Sequence, residues 1–352
     1  MQSKGIMGLP NYEVVPLEYD DIGVAAVQMN PNRLVDPKNP KKVIRENLDK
    51  MLFLSDMALQ FASMWPTGMT KLNLMVFPEF SLTGYDFGLT RDDWQRIAID
   101  VPGEETEVIG KKAKELDCFI AFASHTKDKD WPGHYFNTSM IIDPNGEVIH
   151  KHWKAYCNGP GMIEWATTVH DVLDEFLERY GWDAVWPVAR TPIGNIATFT
   201  CSESFAPETA RAYAFQGAEI LALCIAGGGD ENKTEKYKLQ FRASCASSQV
   251  YGVYANGTNG GSMIVDYFGR ILNQAKDCRD TIIYDSIPMA SFRAKHEKPF
   301  IRTEIYAPVL EKNPGRYPSN LYSKYGVPFN NEEAYKLANQ HTRYPGTDTA
   351  NR

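Results

Sequence analysis

The sequence predicts one α/β domain of layered sheets whose two halves are alike. Short apolar runs alternate with helix-period patterns. The order strand, helix, strand, helix, strand, hairpin occurs roughly twice. No Gly/Ser-rich linker separates the two passes, so they read as one layered unit rather than two domains.

In the first pass, residues 23–29 read as a strand. Residues 43–63 read as a helix with Val43, Leu48, Met51, Leu52, Leu54 and Leu59 along its apolar face. Residues 72–77 give the next strand, 104–116 the next helix and 118–123 the third strand. Residues 135–142 and 147–151 flank Asp143-Pro144-Asn145-Gly146, a hairpin signal of two strands about a Pro/Asn/Gly turn. In the second pass, strand 195–200 leads to helix 207–216, strand 219–225, helix 234–248 and strand 250–256. Residues 262–266 then pair across Tyr267-Phe268-Gly269 with 271–272.

One stretch breaks the rhythm. Residues 168–180 form an amphipathic helix with Val169, Val172, Leu173, Phe176, Leu177 and Tyr180 on one face, Thr168 as N-cap and Asp171 three residues on. It is either a surface helix packed on the core or part of a lid or subunit contact. From Pro299 the composition turns to Pro, Asn, Tyr and Lys with few periodic segments. Residues 1–298 are read as the domain. Residues 299–352 are read as a C-terminal extension lying on it or on a neighbouring subunit, with a disordered end from Tyr344.

Composition narrows the function. With 352 residues, 43% of them hydrophobic, the chain can bury one large core. A net charge of −7 gives no basic footprint for nucleic acid. The six cysteines (Cys118, Cys157, Cys201, Cys224, Cys245, Cys278) form no C-x-x-C pair and no cluster with His, so neither a metal site nor a disulfide framework is expected. Met1-Gln2-Ser3-Lys4-Gly5 lacks the pattern of a signal peptide, and no apolar run reaches membrane-span length. A cytoplasmic, reducing location is expected, and it would keep the cysteines as thiols.

Cys201 is the leading candidate nucleophile. It ends strand 195–200 and precedes Ser202-Glu203-Ser204-Phe205 and the helix that begins at Pro207. A thiol at a tight strand-to-helix turn has backbone N–H groups and a positive dipole end nearby, which favour thiolate and oxyanion. Glu79 follows strand 72–77 behind Pro78, which ends ladder pairing. It should emerge at the carboxyl edge of the sheet, where ligands gather in α/β proteins. Lys154 follows the second hairpin strand. Val148, His150 and His152 share one face there and Ile149, Lys151 and Trp153 the other, so Lys154 is better placed to leave the sheet than Lys151. Cys, Glu and Lys suffice for acyl transfer: a desolvated carboxylate takes the thiol proton and a fixed cation holds the oxyanion. His150 and His152 are the nearest alternatives for a Cys–His pair, but strand positions suit core or surface roles better.

These motifs resemble the nitrilase superfamily, the carbon–nitrogen hydrolases. Phe77-Pro78-Glu79, the Gly146-Glu147 hairpin leading to Lys154, and Cys201 stand in that family's order. So do Val250-Tyr251, Ala255-Asn256-Gly257 and Gly260-Gly261-Ser262-Met263-Ile264-Val265-Asp266. The resemblance covers about residues 24–286. It implies an αββα sandwich, a four-layer αββα-αββα dimer that often assembles further, and a Glu-Lys-Cys triad working without a cofactor on a small-molecule amide. By that resemblance Cys201 attacks, Glu79 is base and then acid, and Lys154 with the Ser202 backbone N–H holds the oxyanion. A further glutamate often follows the lysine, and Glu164 is the best match.

Two segments depart from the pattern. Ser202 stands where many relatives have an aromatic residue, while Glu203 keeps the acid that follows. The run Ala155-Tyr156-Cys157-Asn158-Gly159-Pro160-Gly161 after Lys154 is also unusual. The missing tryptophan argues against a typical nitrilase. The extension and Glu164 point toward the aliphatic amidase and formamidase side, with Phe80 and Ala226 as pocket walls. The expected function is hydrolysis of a small or medium amide through a Cys201 thioester. Nitrile hydrolysis and N-carbamoyl-amide hydrolysis are alternatives with the same triad, as is transfer to an acceptor other than water. A non-catalytic scaffold is the alternative from another class.

Overall fold

The computed structural model describes residues 12–32, 35–64, 70–86, 89–156, 166–227, 231–295 and 303–312. The first half runs β1 (Ile22–Gln28), α1 (Pro40–Ser63), β2 (Leu72–Val76), α2 (Arg91–Ile97), β3 (Ile99–Asp100), α3 (Glu104–Leu116), β4 (Phe119–Lys127), β5 (Phe136–Ile142) and β6 (Val148–Trp153). The second half runs α4 (Leu173–Tyr180), β7 (Ala189–Thr191), β8 (Gly194–Thr200), α5 (Pro207–Phe215), β9 (Ile220–Ile225), α6 (Glu231–Ser248), β10 (Tyr251–Asn256), β11 (Met263–Val265) and β12 (Ile271–Gln274). Then β13 (Thr281–Ile287) returns to the first sheet, followed by α7 (Met289–Lys295) and α8 (Thr303–Lys312).

The strands form a seven-stranded sheet, β13-β1-β2-β4-β5-β6 with β3 on β4, and a six-stranded sheet, β12-β11-β10-β9-β8-β7. The internal similarity predicted from the sequence is visible in the pairing. In the first sheet β1, β2 and β4 are parallel, then β5 and β6 are antiparallel. In the second, β8, β9 and β10 are parallel, then β11 and β12 are antiparallel.

Side-chain alternation stacks these sheets. β1 is buried on both faces, which is why it reads as an unbroken apolar run. Val24 and Ala26 point one way, into a core shared with Leu74, Val76 and Ala121 of their own sheet and Ile196, Ala222 and Val253 of the other. Ala25 and Val27 point the other way, onto Met51, Leu54 and Ala58 of α1 and Ile109 and Ala113 of α3. In the second sheet Phe199, Leu221 and Leu223 pack with Ala210 and Tyr213 of α5 and Phe241 and Cys245 of α6. The result is the expected αββα sandwich. The Thr198 hydroxyl donates to Ser139 Oγ across the two sheets at 2.8 Å.

Several elements differ from their sequence reading. α1 starts at Pro40 rather than residue 43, because Pro suits the first turn of a helix. β4 continues through the buried Ser124, His125 and Thr126, polar residues that ended the apolar run in the sequence. α2 buries only Trp94 and Ile97, too few for a periodic signal. Its start is a capping box between Thr90 and Asp93. β13 and α7 carry half-exposed or charged positions and gave no clear pattern. α8 lies in the segment read as aperiodic; Pro308 inside it masks the helical pattern. Residues 168–180 begin as a 3₁₀ turn (Val169–Val172) and continue as α4, and the Thr168–Asp171 capping box is present. No helix among the described residues is long and apolar enough to cross a membrane.

The layering predicts a stability result. Phe122 is fully buried between the first sheet and its helices. Phe122→Ala should lower the unfolding free energy by about 3–5 kcal/mol, measured by urea unfolding. A change near zero would contradict this packing.

Candidate active site

The predicted residues gather where strands of both sheets end. β6 runs in the direction of β2 and β4, because two antiparallel steps (β4 to β5, β5 to β6) restore the sense. Glu79, Lys154, Cys201 and Ala226 therefore follow the carboxyl ends of β2, β6, β8 and β9, the edge at which open α/β sheets bind ligands.

After β2 the chain keeps beside β4. Phe77 N donates to Ala121 O at 2.7 Å and Ser81 N to Ala123 O at 3.0 Å. Between them the Ser81 hydroxyl donates to Pro78 O at 2.6 Å, and Phe80 takes a left-handed φ of 58°. This tight loop turns Glu79 inward, where it is 1% exposed. Its Oε1 accepts from Asn137 Nδ2 at 2.7 Å and lies 3.6 Å from Lys154 Nζ. Its Oε2 accepts from the backbone N–H of Ala226 at 3.2 Å.

Lys154 is buried at the end of β6. Its N–H donates to Asn137 O at 2.8 Å, and its carbonyl accepts from Val169 N at 3.1 Å. Asn137 thus holds Glu79 by its side chain and Lys154 by its backbone. The 3₁₀ turn before α4 supports Lys154 from behind, with His170 N donating to Ala155 O at 2.8 Å. That helix packs Val169 and Phe176 with Trp131, Phe136 and Trp153. It packs on the core, as one of the two sequence readings expects.

Cys201 opens a 3₁₀ turn, Cys201–Phe205, with φ 43°. A non-glycine residue in that region carries strain of about 1–3 kcal/mol. Local bonds hold it. Ser204 Oγ donates to Cys201 O at 2.7 Å, and Thr200 and Glu203 form a capping box around the turn. A Cβ built on Gly227 would stand 3.7 Å from Cys201 Sγ, so the thiol lies against the residue after Ala226. The thiol and the Glu79–Lys154 pair therefore meet across two consecutive residues, Ala226 and Gly227.

Glu203 joins the two strand ends. Fully buried, it accepts from His152 Nε2 at 2.9 and 3.2 Å, from Ala155 N at 2.7 Å and from Thr200 N at 2.9 Å. Burial alone would raise this carboxyl; His152 and the two backbone N–H groups outweigh it and hold it below its ordinary 4.5. His150 is pushed down to about 3, first by burial and then by His152. Burial pushes the thiols of Cys118, Cys224 and Cys245 up. Tyr254 is buried in β10 and its hydroxyl has no hydrogen-bond partner among the described residues. Burial and then Cys201 push that hydroxyl up.

The remaining predicted residues are placed as follows. Ser202 is buried at the start of the 3₁₀ turn. Phe80 stacks on Tyr85 and on His125, each at 4.7 Å. Ala226 meets the site through its N–H on Glu79. Glu164 lies outside the described residues. Sequence reasoning missed Asn137 and the partners of Glu203. A polar residue inside a buried strand was the signal for Asn137. The T-x-x-E spacing of Thr200 and Glu203 was the signal for the clamp.

Fold and site together define an αββα protein with a buried carboxylate–ammonium pair beside a strand-end thiol. The sequence model of the carbon-nitrogen hydrolase family matches residues 23–297, and the chain belongs to that family. It is 29% identical over 211 residues to a formamidase of Bacillus cereus, which covers 58% of this chain and 55% of that one. A formamidase of Bacillus thuringiensis is 29% identical over 210 residues, covering 57% of this chain and 55% of its own length. The chain thus spans about half the length of these curated relatives. Among solved structures, a mutant amidase from Nesterenkonia sp. AN1, with the acetamide moiety of fluoroacetamide covalently added at its active-site cysteine, superposes with TM-score 0.58 at 18% identity. It covers 82% of this chain and 96% of that one. Nit3 of Saccharomyces cerevisiae, a member of branch 10 of the nitrilase superfamily, gives TM-score 0.58 at 18% identity, covering 78% and 94%. These likenesses show the nitrilase fold.

The clamp has a pH signature. The folded-state pKa of Glu203 lies below its ordinary value, so its stabilisation is complete above about pH 4.5 and is lost as pH falls further. Glu203→Gln should destabilise the fold by about 3–5 kcal/mol at pH 7. Its stability should also fall less steeply than that of the wild type below pH 4.5, measured by denaturant unfolding across pH. Parallel acid profiles would remove this role.

Proposed function

We propose that this carbon-nitrogen hydrolase cleaves the C–N bond of a small or medium amide through a thioester on Cys201. The observation that carries the reading is the buried Glu79–Lys154 contact, continued through Ala226 and Gly227 to the Cys201 thiol. The formamidase relatives and the solved amidase with a covalently modified cysteine support the amide class.

In this reading Glu79 takes the Cys201 thiol proton as Sγ attacks the amide carbon. The carbonyl π pair moves to oxygen, and Lys154 Nζ with the Ser202 N–H stabilises that oxyanion. The oxyanion collapses, the C–N bond breaks, and Glu79 delivers the proton to the departing nitrogen. Water then attacks the thioester with Glu79 again as base, and the acid leaves as the thiol is restored. Asn137 and the Ala226 N–H orient the Glu79 oxygens. Glu164 belongs to the proposal as a fourth catalytic residue. So do the homo-oligomer, the 1–298 domain and the extension over residues 299–352.

Intact-mass spectrometry and amine release across an amide panel test this. Native protein should gain an acyl mass on Cys201 and release ammonia or amine; Cys201→Ala should do neither. Glu79→Gln and Lys154→Met should each lower kcat/KM by about 10²–10⁴-fold. No adduct and no amine across the panel would sink the proposal, and nitrile turnover above that of the matching amide would replace it with nitrile hydrolysis.

A second measurement is cheaper. Iodoacetamide below pH 8 should label Cys201 ahead of Cys118, Cys224 and Cys245, which are buried and pushed up. Peptide mapping with Cys278→Ser, which removes an exposed thiol, reads the order. Equal slow labelling of all would favour a non-catalytic scaffold.

A further inference from the structure

We propose that Gly227 sets the size of the group that Cys201 can carry, and that its missing side chain is the room for the acyl substituent. The inference rests on Cys201 being the nucleophile.

Glycine is not required at position 227 by backbone conformation, because its φ lies outside the left-handed region. Nor is it required by a backbone clash. The nearest atoms to a Cβ there are those of the Ile225 side chain, at 3.3 and 3.4 Å, and Cys201 Sγ at 3.7 Å. The first two contacts need a shift of a few tenths of an ångström from a side chain; the third is ordinary van der Waals contact. The position accepts a side chain sterically, and that side chain would lie on the sulfur.

The direction is fixed as well. Gly227 O accepts from Asn256 Nδ2 at 3.0 Å, and the same amide donates to Gly260 O at 2.8 Å. Asn256 is fully buried. The preceding residue is held by its N–H on Glu79 and by its carbonyl, which accepts from Thr258 Oγ1 at 3.4 Å. With Ala226 and the Gly227 carbonyl held in this way, the Cα–Cβ direction at 227 keeps a side chain against Sγ. It would occupy volume that a substituent on the thioester carbon needs. One methylene more or less in an apolar pocket changes discrimination about 10–200-fold. The glycine therefore admits acyl groups with an alkyl substituent, and each carbon added at 227 should remove one from the accepted chain.

Labelling reads the space without relying on amide turnover. Cys201 would be alkylated by iodoacetamide and by the bulkier iodoacetanilide in wild type, Gly227→Ala and Gly227→Val, with the Cys201 peptide quantified by mass spectrometry. The rate ratio, bulky over small, should fall about tenfold or more in Gly227→Val and by an intermediate factor in Gly227→Ala. An unchanged ratio in both variants overturns the proposal. Where wild type turns over amides, the kcat/KM ratio of butyramide to formamide should fall in the same order, and a flat ratio also overturns it. A wild type silent on every amide, with the labelling shift intact, sinks the amidase reading alone and upholds Gly227 as the wall beside the thiol. Thermal unfolding of both variants confirms that they fold.

Discussion

The buried Glu203 carboxylate is the constraint on which the site depends. A charge without exposure costs several kcal/mol unless each oxygen is satisfied. Here the donors come from two strand ends in different sheets: His152 and Ala155 around Lys154, and Thr200 just before Cys201. Two of those donors are backbone N–H groups, which have no rotamers to lose. The carboxylate therefore fixes the distance between the chain at the ammonium and the chain at the thiol. It does so through their immediate neighbours.

The same economy recurs at Glu79. Asn137 is one residue in the middle of a buried run, yet it holds the proposed base by its amide and Lys154 by its carbonyl. The Ala226 N–H takes the second carboxylate oxygen. A carboxylate held at both oxygens cannot rotate, so the oxygen near Lys154 and the oxygen near Ala226 keep separate surroundings. The preorganisation invoked for transition-state charge starts from such fixed dipoles.

Much of the fold is legible because strands buried on both faces read as short apolar runs. β1, β9 and β10 are of that kind and were located to within a residue or so. α2 and α8 were missed because one is short and the other contains Pro308. That Glu79, Lys154 and Cys201 lie together was legible because each follows a strand, and strand ends at a carboxyl edge are where ligands gather. Asn137 and His152 lie inside strands, where pattern alone assigns them to the core. Glu203 was visible as an acid after the cysteine, but its partners at Ala155 and His152 are 48 and 51 positions away. Ala226 was anticipated as a wall, and it reaches Glu79 through its backbone.

The left-handed turn at Cys201 shows how reactivity and stability are joined here. With φ 43° just after β8, the chain leaves the ladder abruptly at Cys201, whose thiol lies beside Gly227. The conformation carries strain of about 1–3 kcal/mol, and strain of that size persists only where the surroundings over-determine it. The capping box, the Ser204 hydroxyl on the Cys201 carbonyl and the clamp to β6 supply that determination. The capping box and the Ser204 bond are local to residues 200–204, whereas the His152 and Ala155 bonds to Glu203 cross from one sheet to the other and are lost if the two sheets separate. The geometry of the thiol is thus a property of the assembled sandwich. Local opening at either strand end would relax the turn and lose the thiol's placement before the cores that fill the layers had melted.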